Sequence, residues 1–462
     1  MEKYVFYDLE TTGISSAYDQ PLQFAAIVTD HELNEIERVD IRCQISPHIL
    51  PAPMALYVTG LRPSQLVNDN LPNAFEFAQT IQSFTEKWSP AIWVGYNSIK
   101  FDEEVMRQMF YQNLQPNIFA TQFFGNTRLD VMKMVFAIFD QQQNVFSWPT
   151  NAKGNISFKL DQLAPKNGFE AHKAHDALGD VEATIFLLNI IKTKAPILYS
   201  HFVKARDKEH NKQLLTSYKP MEVTLRFGGS PPKTYVGCFC GFQRNNNNSA
   251  GFFDLNQPNP METISGSKSV IELALSGTPQ KIRTLAINKA DTIRPASASS
   301  TEWDKICSQI EQAEDFKQCV SECLAERHET KGDTKKLIEE KIFEGFYSYE
   351  DKALLNKFQS ETWQNRAEIL LSMNDDRLIQ LGNRLIAFYA PEYLTENQKE
   401  ARDSYIYKKW ASTDEKPKWT TITAVKKQLE ALRDKGCDPF LLEEFRAFYQ
   451  TKLSGIKYSQ DF

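Results

Sequence analysis

Nothing in the 462-residue chain approaches the roughly 20 consecutive apolar residues that a membrane-spanning helix requires. The first residues, Met1-Glu2-Lys3-Tyr4, lack a basic stretch leading into an apolar one, so no signal peptide is expected. Cysteine is scarce, seven in all, and no Cys-x-x-Cys pair occurs. The nearest groupings, Cys238-Phe239-Cys240 and Cys319 with Cys323, favour reduced thiols over a zinc site. A basic excess is missing too. There are 53 Lys and Arg against 59 Asp and Glu, a formal charge of −6, so any nucleic-acid contact must come from a local patch. There is no internal repeat, and Asn245-Asn246-Asn247-Asn248 is the one low-complexity stretch. The expectation is a soluble cytoplasmic protein with no membrane contact.

Apolar material, by contrast, is ample. Hydrophobic residues make up 42% of the chain and aromatics 12%, over a length that calls for two or three domains. The run Tyr4-Val5-Phe6-Tyr7-Asp8-Leu9-Glu10-Thr11-Thr12-Gly13 predicts a buried strand, yet two carboxylates sit near its end. Strand residues two apart share a face, so Asp8 and Glu10 leave the same side. Two adjacent anions raise each other's pKa and are costly to bury without a cation between them; a hard divalent metal is the simplest one. A solvated strand end with two surface acids is the plainer alternative.

Residues 23–30 and 39–45 predict two further strands, making a meander at the start of a mixed sheet. The stretch 71–88 has helical spacing through Phe75, Phe77, Ile81, Phe84 and Trp88. A strand over 91–95 leads through Gly95-Tyr96-Asn97 to Asp102, which opens a helix. Asp102 suits either an N-cap or a metal-facing acid. Leu129-Asp130-Val131-Met132 predicts a helix, and so does the stretch from Ser157-Phe158-Lys159-Leu160. In Ala174-His175-Asp176-Ala177-Leu178-Gly179-Asp180, the apolar positions that follow (Val181, Ile185, Leu188, Ile191) put Asp180 on a helix. His175 precedes Asp180 closely; taken alone it reads as a core or capping histidine sooner than as a site residue, and His172 is a neighbouring decoy.

The composition changes after Lys194-Ala195-Pro196. Residues 201–244 hold eight Lys and Arg against three Asp and Glu, with Phe202, Tyr218, Phe227, Tyr235, Phe239 and Phe242 interleaved. That mixture suits single-stranded nucleic acid, with a solvated barrel surface as the alternative. Strands are predicted at 222–227, 234–242, 251–255, 270–275 and 281–288, a spacing typical of a small barrel or sandwich. Residues 302–327 predict a helix, and beyond about residue 342 the chain reads as all helical. Thr395-Glu396-Asn397-Gln398 has capping-box spacing, and Gly436 with Asp438-Pro439 suits a helix end and the next start.

Asp8, Glu10, Asp102, His175 and Asp180, in their motifs and order, resemble the histidine subtype of the DEDD 3′→5′ exonuclease superfamily. More narrowly, the chain is similar nearly end to end to the bacterial exonuclease I family. That similarity includes Gln23-Phe24-Ala25-Ala26, Arg128 with Asp130, Ser157-Phe158-Lys159-Leu160 and Ile287-Asn288-Lys289. Close relatives often carry Tyr and Phe where this chain has Leu9 and Thr12, and Arg where it has Lys159. The resemblance implies a multidomain α/β + β + α protein: an RNase H-like mixed-sheet exonuclease domain over 1–192, an SH3-like small β-barrel domain over 196–341 and an all-helical C-terminal domain over 343–462. It implies 3′→5′ hydrolysis of single-stranded DNA to nucleoside 5′-monophosphates in DNA repair and recombination. Two Mg²⁺ ions, with Mn²⁺ as the alternative, would be held by Asp8, Glu10, Asp102 and Asp180, with His175 as general base. Glu10, Lys159 and Arg107 are the expected substrate contacts. A monomer is expected, with the C-terminal tail of single-stranded-DNA-binding protein as partner.

Overall fold

The computed structural model describes residues 2–170, 176–289, 292–327 and 336–455. The first sheet joins strands β1 (Tyr4–Thr11), β2 (Pro21–Thr29), β3 (Glu35–Arg42), β4 (Ile92–Gly95) and β5 (Thr127–Asp130) in the order β3-β2-β1-β4-β5. The three-strand meander is antiparallel, while β1–β4 and β4–β5 are parallel. The apolar run of β1 is explained by burial on both faces. Tyr4 and Phe6 enter one core, and Val5, Tyr7 and Leu9 the other. β3 is the edge strand, half exposed and carrying Glu35, Glu37, Arg38 and Asp40, charges that discourage pairing with another chain.

Helices cover both faces. Between β3 and β4 lie α1 (Pro53–Thr59), α2 (Pro63–Leu66) and α3 (Ala74–Trp88); α4 (Asp102–Gln112) follows β4. Asn73 caps α3 by accepting the Phe75 and Glu76 N–H groups, which sets its start three residues later than the periodicity predicts. α3 and α4 fill the Tyr7 side. α5 (Val131–Gln141), α6 (Leu160–Lys166) and α7 (Ala177–Lys194) fill the Phe6 side. The predicted helix at 129–132 begins only at Val131, because Leu129 and Asp130 end β5 and Asp130 caps α5 through Met132 N–H.

Helices α8 (Pro196–Ala205) and α9 (Lys208–Leu215) lead to a second, wholly antiparallel sheet. Its strands are β6 (Met221–Leu225), β7 (Lys233–Gln243), β8 (Asn246–Asp254), β9 (Ile282–Ala286) and β10 (Arg294–Pro295), in the order β10-β6-β7-β8-β9. The predicted strand at 270–275 is instead part of α11 (Lys268–Ser276), which follows the short α10 (Pro260–Ile264). Ile271, Ala274 and Leu275 are its buried positions, a helical spacing that a short apolar run does not distinguish from a strand. The single helix predicted at 302–327 is two, α12 (Thr301–Gln312) and α13 (Glu314–Glu326), broken where Ala313 leaves helical geometry.

The two sheets are stitched together at Ile287-Asn288-Lys289. Asn211 donates to the Ile287 carbonyl at 3.0 Å, Arg128 to that of Asn288 at 2.6 Å and Lys133 to that of Lys289 at 3.0 Å. Arg128 also pairs at 3.2 Å with Glu103, itself only 2% exposed. Removing one partner of a buried ion pair strands the other's charge. Here Glu103 keeps Arg107 at 3.0 Å and the Thr121 hydroxyl at 2.7 Å, so Arg128→Ala is expected to cost about 1–3 kcal/mol in urea unfolding, and Arg128→Lys part of that. A loss below about 1 kcal/mol would show that the pair is solvated.

The C-terminal helices are α14 (Tyr349–Ser360), α15 (Trp363–Leu370), α16 (Asp376–Tyr389), α17 (Glu396–Trp410), α18 (Ile422–Asp434) and α19 (Pro439–Ser454). The Thr395/Gln398 capping box and the Asp438 cap with Pro439 behind it form as the sequence predicts. Phe445 and Phe448 are buried together with Leu22, Ile45, Leu56 and Leu66 of the N-terminal unit. A second shared core joins Phe75 and Tyr111 to Leu355, Phe358 and Leu381. These hydrophobic clusters cross the boundaries between the sequence segments. No described helix is long and apolar enough to cross a membrane.

Candidate active site

The alternation of β1 puts Asp8 and Glu10 on the face of Tyr4 and Phe6, over which α7 lies. Asp180 is in the first turn of α7. Asp8, Glu10 and Asp180 each offer a carboxylate oxygen within 4.8 Å of the other two. Opposite Asp8 in the sheet is Ala25, fully buried, and beyond it Asp40. The small side chain leaves room beside the Asp8 carboxylate.

Asp102 comes from the other side of the sheet, as the first residue of α4. The N-cap position belongs to Phe101, and Asp102 Oδ1 instead accepts the backbone N–H of Leu9 at 3.3 Å. This bond ties α4 to the strand between Asp8 and Glu10. Gly95 makes the approach possible, since a Cβ there would lie 2.4 Å from the Ser98 Cβ and 3.2 Å from the Tyr7 carbonyl. Asn97 follows in the left-handed region at φ 65°, its N–H held by Asp130 Oδ1 at 2.9 Å.

The acids raise one another's pKa. Loss of solvent first, then Asp102, Glu10 and Asp180, hold the Asp8 carboxyl well above the ordinary range. Burial, Asp180, Asp102 and Asp176 push Glu10 up to about 9, against the pull of Arg42. Asp102 is pushed up to about 7 by burial, opposed by its backbone N–H bonds and reinforced by Asp130 and Asp180. An all-oxygen cluster with this much unrelieved repulsion fits a hard divalent cation.

Asp176 and its holders are functional candidates that sequence reasoning did not assign. Glu10, Gln23 and Arg42 lie side by side across β1, β2 and β3. Gln23 Nε2 donates to Asp176 Oδ1 at 3.2 Å, and Arg42 stands 3.6 Å from the same oxygen. Asp176 thus pins the N-terminal end of α7 to the sheet, fixing where Asp180 begins its turn. Both Gln23 and Asp176 lie inside the motifs quoted above, but their partnership is tertiary and has no local signal.

His175 lies outside the described residues. Lys159 is exposed at the N-cap of α6, and the carbonyl of its neighbour Phe158 accepts the Tyr96 hydroxyl at 2.5 Å. Arg107 is not presented as a substrate contact. It is 7% exposed, paired with Glu103 at 3.0 Å and Glu104 at 2.9 Å, with its guanidinium 5.0 Å from the Phe119 ring centre. Five residues on from Asp102, the helix has turned it into the core. Leu9 is likewise a core residue on the α4 side. Thr12 is fully buried, donating to Asp19 at 3.0 Å and accepting from Gln20 N–H at 2.9 Å.

Residues 5–188 match the family model for exonucleases, and residues 336–451 the model for the exonuclease I C-terminal domain. Exodeoxyribonuclease I of Buchnera aphidicola subsp. Schizaphis graminum is 27% identical over 432 residues, covering 88% of this chain and 87% of that protein. Escherichia coli exonuclease I, solved in complex with a dT13 oligonucleotide, superposes with a TM-score of 0.81 at 23% identity, over 98% of this chain and 99% of that one. A solved exonuclease I in complex with SSB and the inhibitor CFAM superposes at 0.80 and 22% identity, over 98% and 99%. At these identities the superpositions establish the fold, a mixed sheet followed by a helical C-terminal region. The matches run through the carboxylate-bearing strands and on into the last helices, and they make the chain an exonuclease, a member of the exonuclease I family.

Proposed function

We propose that the protein hydrolyses single-stranded DNA stepwise from the 3′ end, releasing nucleoside 5′-monophosphates, in DNA repair and recombination. The observation that carries this reading is the convergence of Asp8, Glu10 and Asp180 oxygens within 4.8 Å, with Asp102 bound behind them to the same strand. Asp8, Glu10, Asp102 and Asp180 would hold two divalent ions, Mg²⁺ foremost and Mn²⁺ as the alternative. When bound, such ions supply charge stabilisation for the scissile phosphate and its leaving oxygen. His175 takes a proton from the attacking water, as an imidazole of ordinary pKa near 6.5 does around neutral pH. The free Lys159 ammonium contacts a backbone phosphate as a point charge, without the fork that Arg would bring, and Glu10 borders the terminal nucleotide. Asp176, Gln23 and Arg42 are positioning residues, acting through α7.

The same reading gives the antiparallel second sheet an SH3-like barrel character and sets domains at 1–192, 196–341 and 343–462, the first RNase H-like. It extends to a cytoplasmic monomer that docks the C-terminal tail of single-stranded-DNA-binding protein; the SSB complex of a relative with this fold supports that partner.

The test uses matched 5′-labelled oligonucleotides as single-stranded DNA, duplex DNA and single-stranded RNA, each with Mg²⁺ or a chelator. Shortening of the DNA strand from its 3′ end, lost with chelator and weak on duplex and RNA, is expected. A preference for RNA would overturn the substrate; no cleavage of any strand would overturn the activity. His175→Ala is expected to slow turnover at least about 10²-fold and to remove one limb of the pH–rate profile. An unchanged profile would take His175 out of the mechanism.

A further inference from the structure

A second polar centre lies away from the carboxylate cluster, between the loop after Gly13 and the C-terminal helices. It is a cavity of about 50 Å³ bordered by Tyr18, Asp19 and His48 on one side and by Glu339, Arg384 and Lys409 on the other. Ile49, Phe77 and Phe388 complete an apolar wall, so charges here interact strongly. Both carboxylates are already engaged. Glu339 Oε1 accepts Arg384 Nη1 at 2.5 Å, and Asp19 accepts Thr12 Oγ1 at 3.0 Å and Ser15 N–H at 2.9 Å.

The cations are not matched. Lys409 is 7% exposed, and among the described residues no carboxylate lies within the 4 Å of an ion pair; its ammonium stands 5.6 Å from the Trp419 ring centre. Lys452, from α19, adds a further positive charge nearby, donating to the Ser46 carbonyl at 3.4 Å. Arg384 Nη2 and His48 Nδ1 are buried without a hydrogen-bond partner of good geometry, with the Tyr405 hydroxyl beside the Arg384 guanidinium. Burial holds the Lys409 pKa down to about 8, with Glu339 and Asp19 pulling it up and Arg384 pushing it down. Water would satisfy Arg384 and His48 but brings no charge to Lys409. An anion does both.

Size limits the ligand. A buried water needs about 10–15 Å³, so the cavity holds roughly three to five such atoms, enough for a tetrahedral oxyanion and too few for a nucleoside. We propose that this cavity is a binding site for a small tetrahedral oxyanion, inorganic phosphate or sulfate, held by Lys409 and the free edge of Arg384. Its occupant neutralises the unmatched ammonium and fastens α16 and α17 to the loop that follows β1.

The experiment uses the full chain in a chelator, in a zwitterionic buffer, with thermal unfolding followed against sodium phosphate, sodium sulfate or sodium chloride at equal ionic strength. Phosphate and sulfate are expected to raise Tm saturably by about 2–5 °C and chloride not at all. Lys409→Met keeps the length of the side chain and removes the buried charge; it is expected to raise Tm in anion-free buffer and to lose the phosphate response. Its cleavage of single-stranded DNA should equal the wild-type rate, which separates this site from the catalytic reading. An equal phosphate response in Lys409→Met would overturn the proposal, because excluded anions stabilise any fold. Equilibrium dialysis of the wild-type protein with radiolabelled phosphate gives an independent reading should the variant fail to fold. Sulfate-displaceable binding supports the site, and no binding overturns it.

Discussion

Asp8→Asn is expected to give a folded protein that binds single-stranded DNA and does not shorten it. Asn keeps the size of the side chain and one of its oxygens, so β1 and its pairing with β2 are undisturbed. What goes is the negative charge at the point where Asp8, Glu10 and Asp180 converge. Loss of an outer-shell partner alone costs about 10–100-fold in metal affinity or activity; on the proposed reading Asp8 holds the metal directly, and its loss should cost more. The DNA contacts proposed elsewhere, at Lys159 among them, are untouched by the change. Cleavage of a 5′-labelled oligonucleotide in Mg²⁺, set beside a filter-binding titration in chelator, separates the two properties. Full cleavage by the variant would remove Asp8 from the site. Asp180→Asn should behave in the same way, whereas Gln23→Ala should act more weakly and through α7.

The second large effect concerns stability without metal. In the folded, metal-free protein, Glu10 is pushed up to about 9 and Asp102 to about 7, while Asp8 is also raised. At these three acids the folded state therefore binds more protons than the unfolded chain from about pH 4 upward. Stability contributed by the protonated acids is present at low pH and is lost as pH rises through the folded pKa values. Each tenfold difference in proton affinity between the folded and unfolded chain is worth about 1.4 kcal/mol, so the site should cost the chelated protein a few kcal/mol by about pH 8. His48 runs in the opposite direction, since burial lowers its pKa well below the usual value. The useful quantity is therefore the difference between wild type and Asp102→Asn. In urea with chelator, the variant should gain on the wild type between about pH 4 and pH 7, and saturating Mg²⁺ should abolish or reverse that gain. A difference independent of pH would mean that these acids are ionised and solvated in the folded chain.

Period-two alternation places Asp8 and Glu10 on one face whatever else the chain does, so that half of the cluster is legible in the residues themselves. Asp102 and Asp180 are legible through their motifs, and the capping residues Thr395 and Asp438 through turn chemistry. The rest depends on tertiary partners. Arg107 follows Glu103 by four residues and Glu104 by three on the helix that Asp102 opens, so the pairing has a local signal, but its burial against Phe119 does not. Asp176 reads as an ordinary helix-start acid until Gln23 and Arg42 arrive from β2 and β3. The helix at Lys268–Ser276 reads as a strand because its apolar residues are few and closely spaced, and its environment decides between the two periods.

The three carbonyls of Ile287, Asn288 and Lys289, each met by a donor from a different helix or strand, bear on how such a protein can be cut apart. A middle segment expressed alone would lose Arg128 and Lys133, and the N-terminal unit alone would leave Arg128 facing nothing beyond Glu103. The break in composition near residue 195 is therefore a seam in the text of the chain and not a place where recombination could exchange parts freely. Any lineage that swapped the second sheet would have to bring a loop offering the Asn288 and Lys289 acceptors at the same spacing.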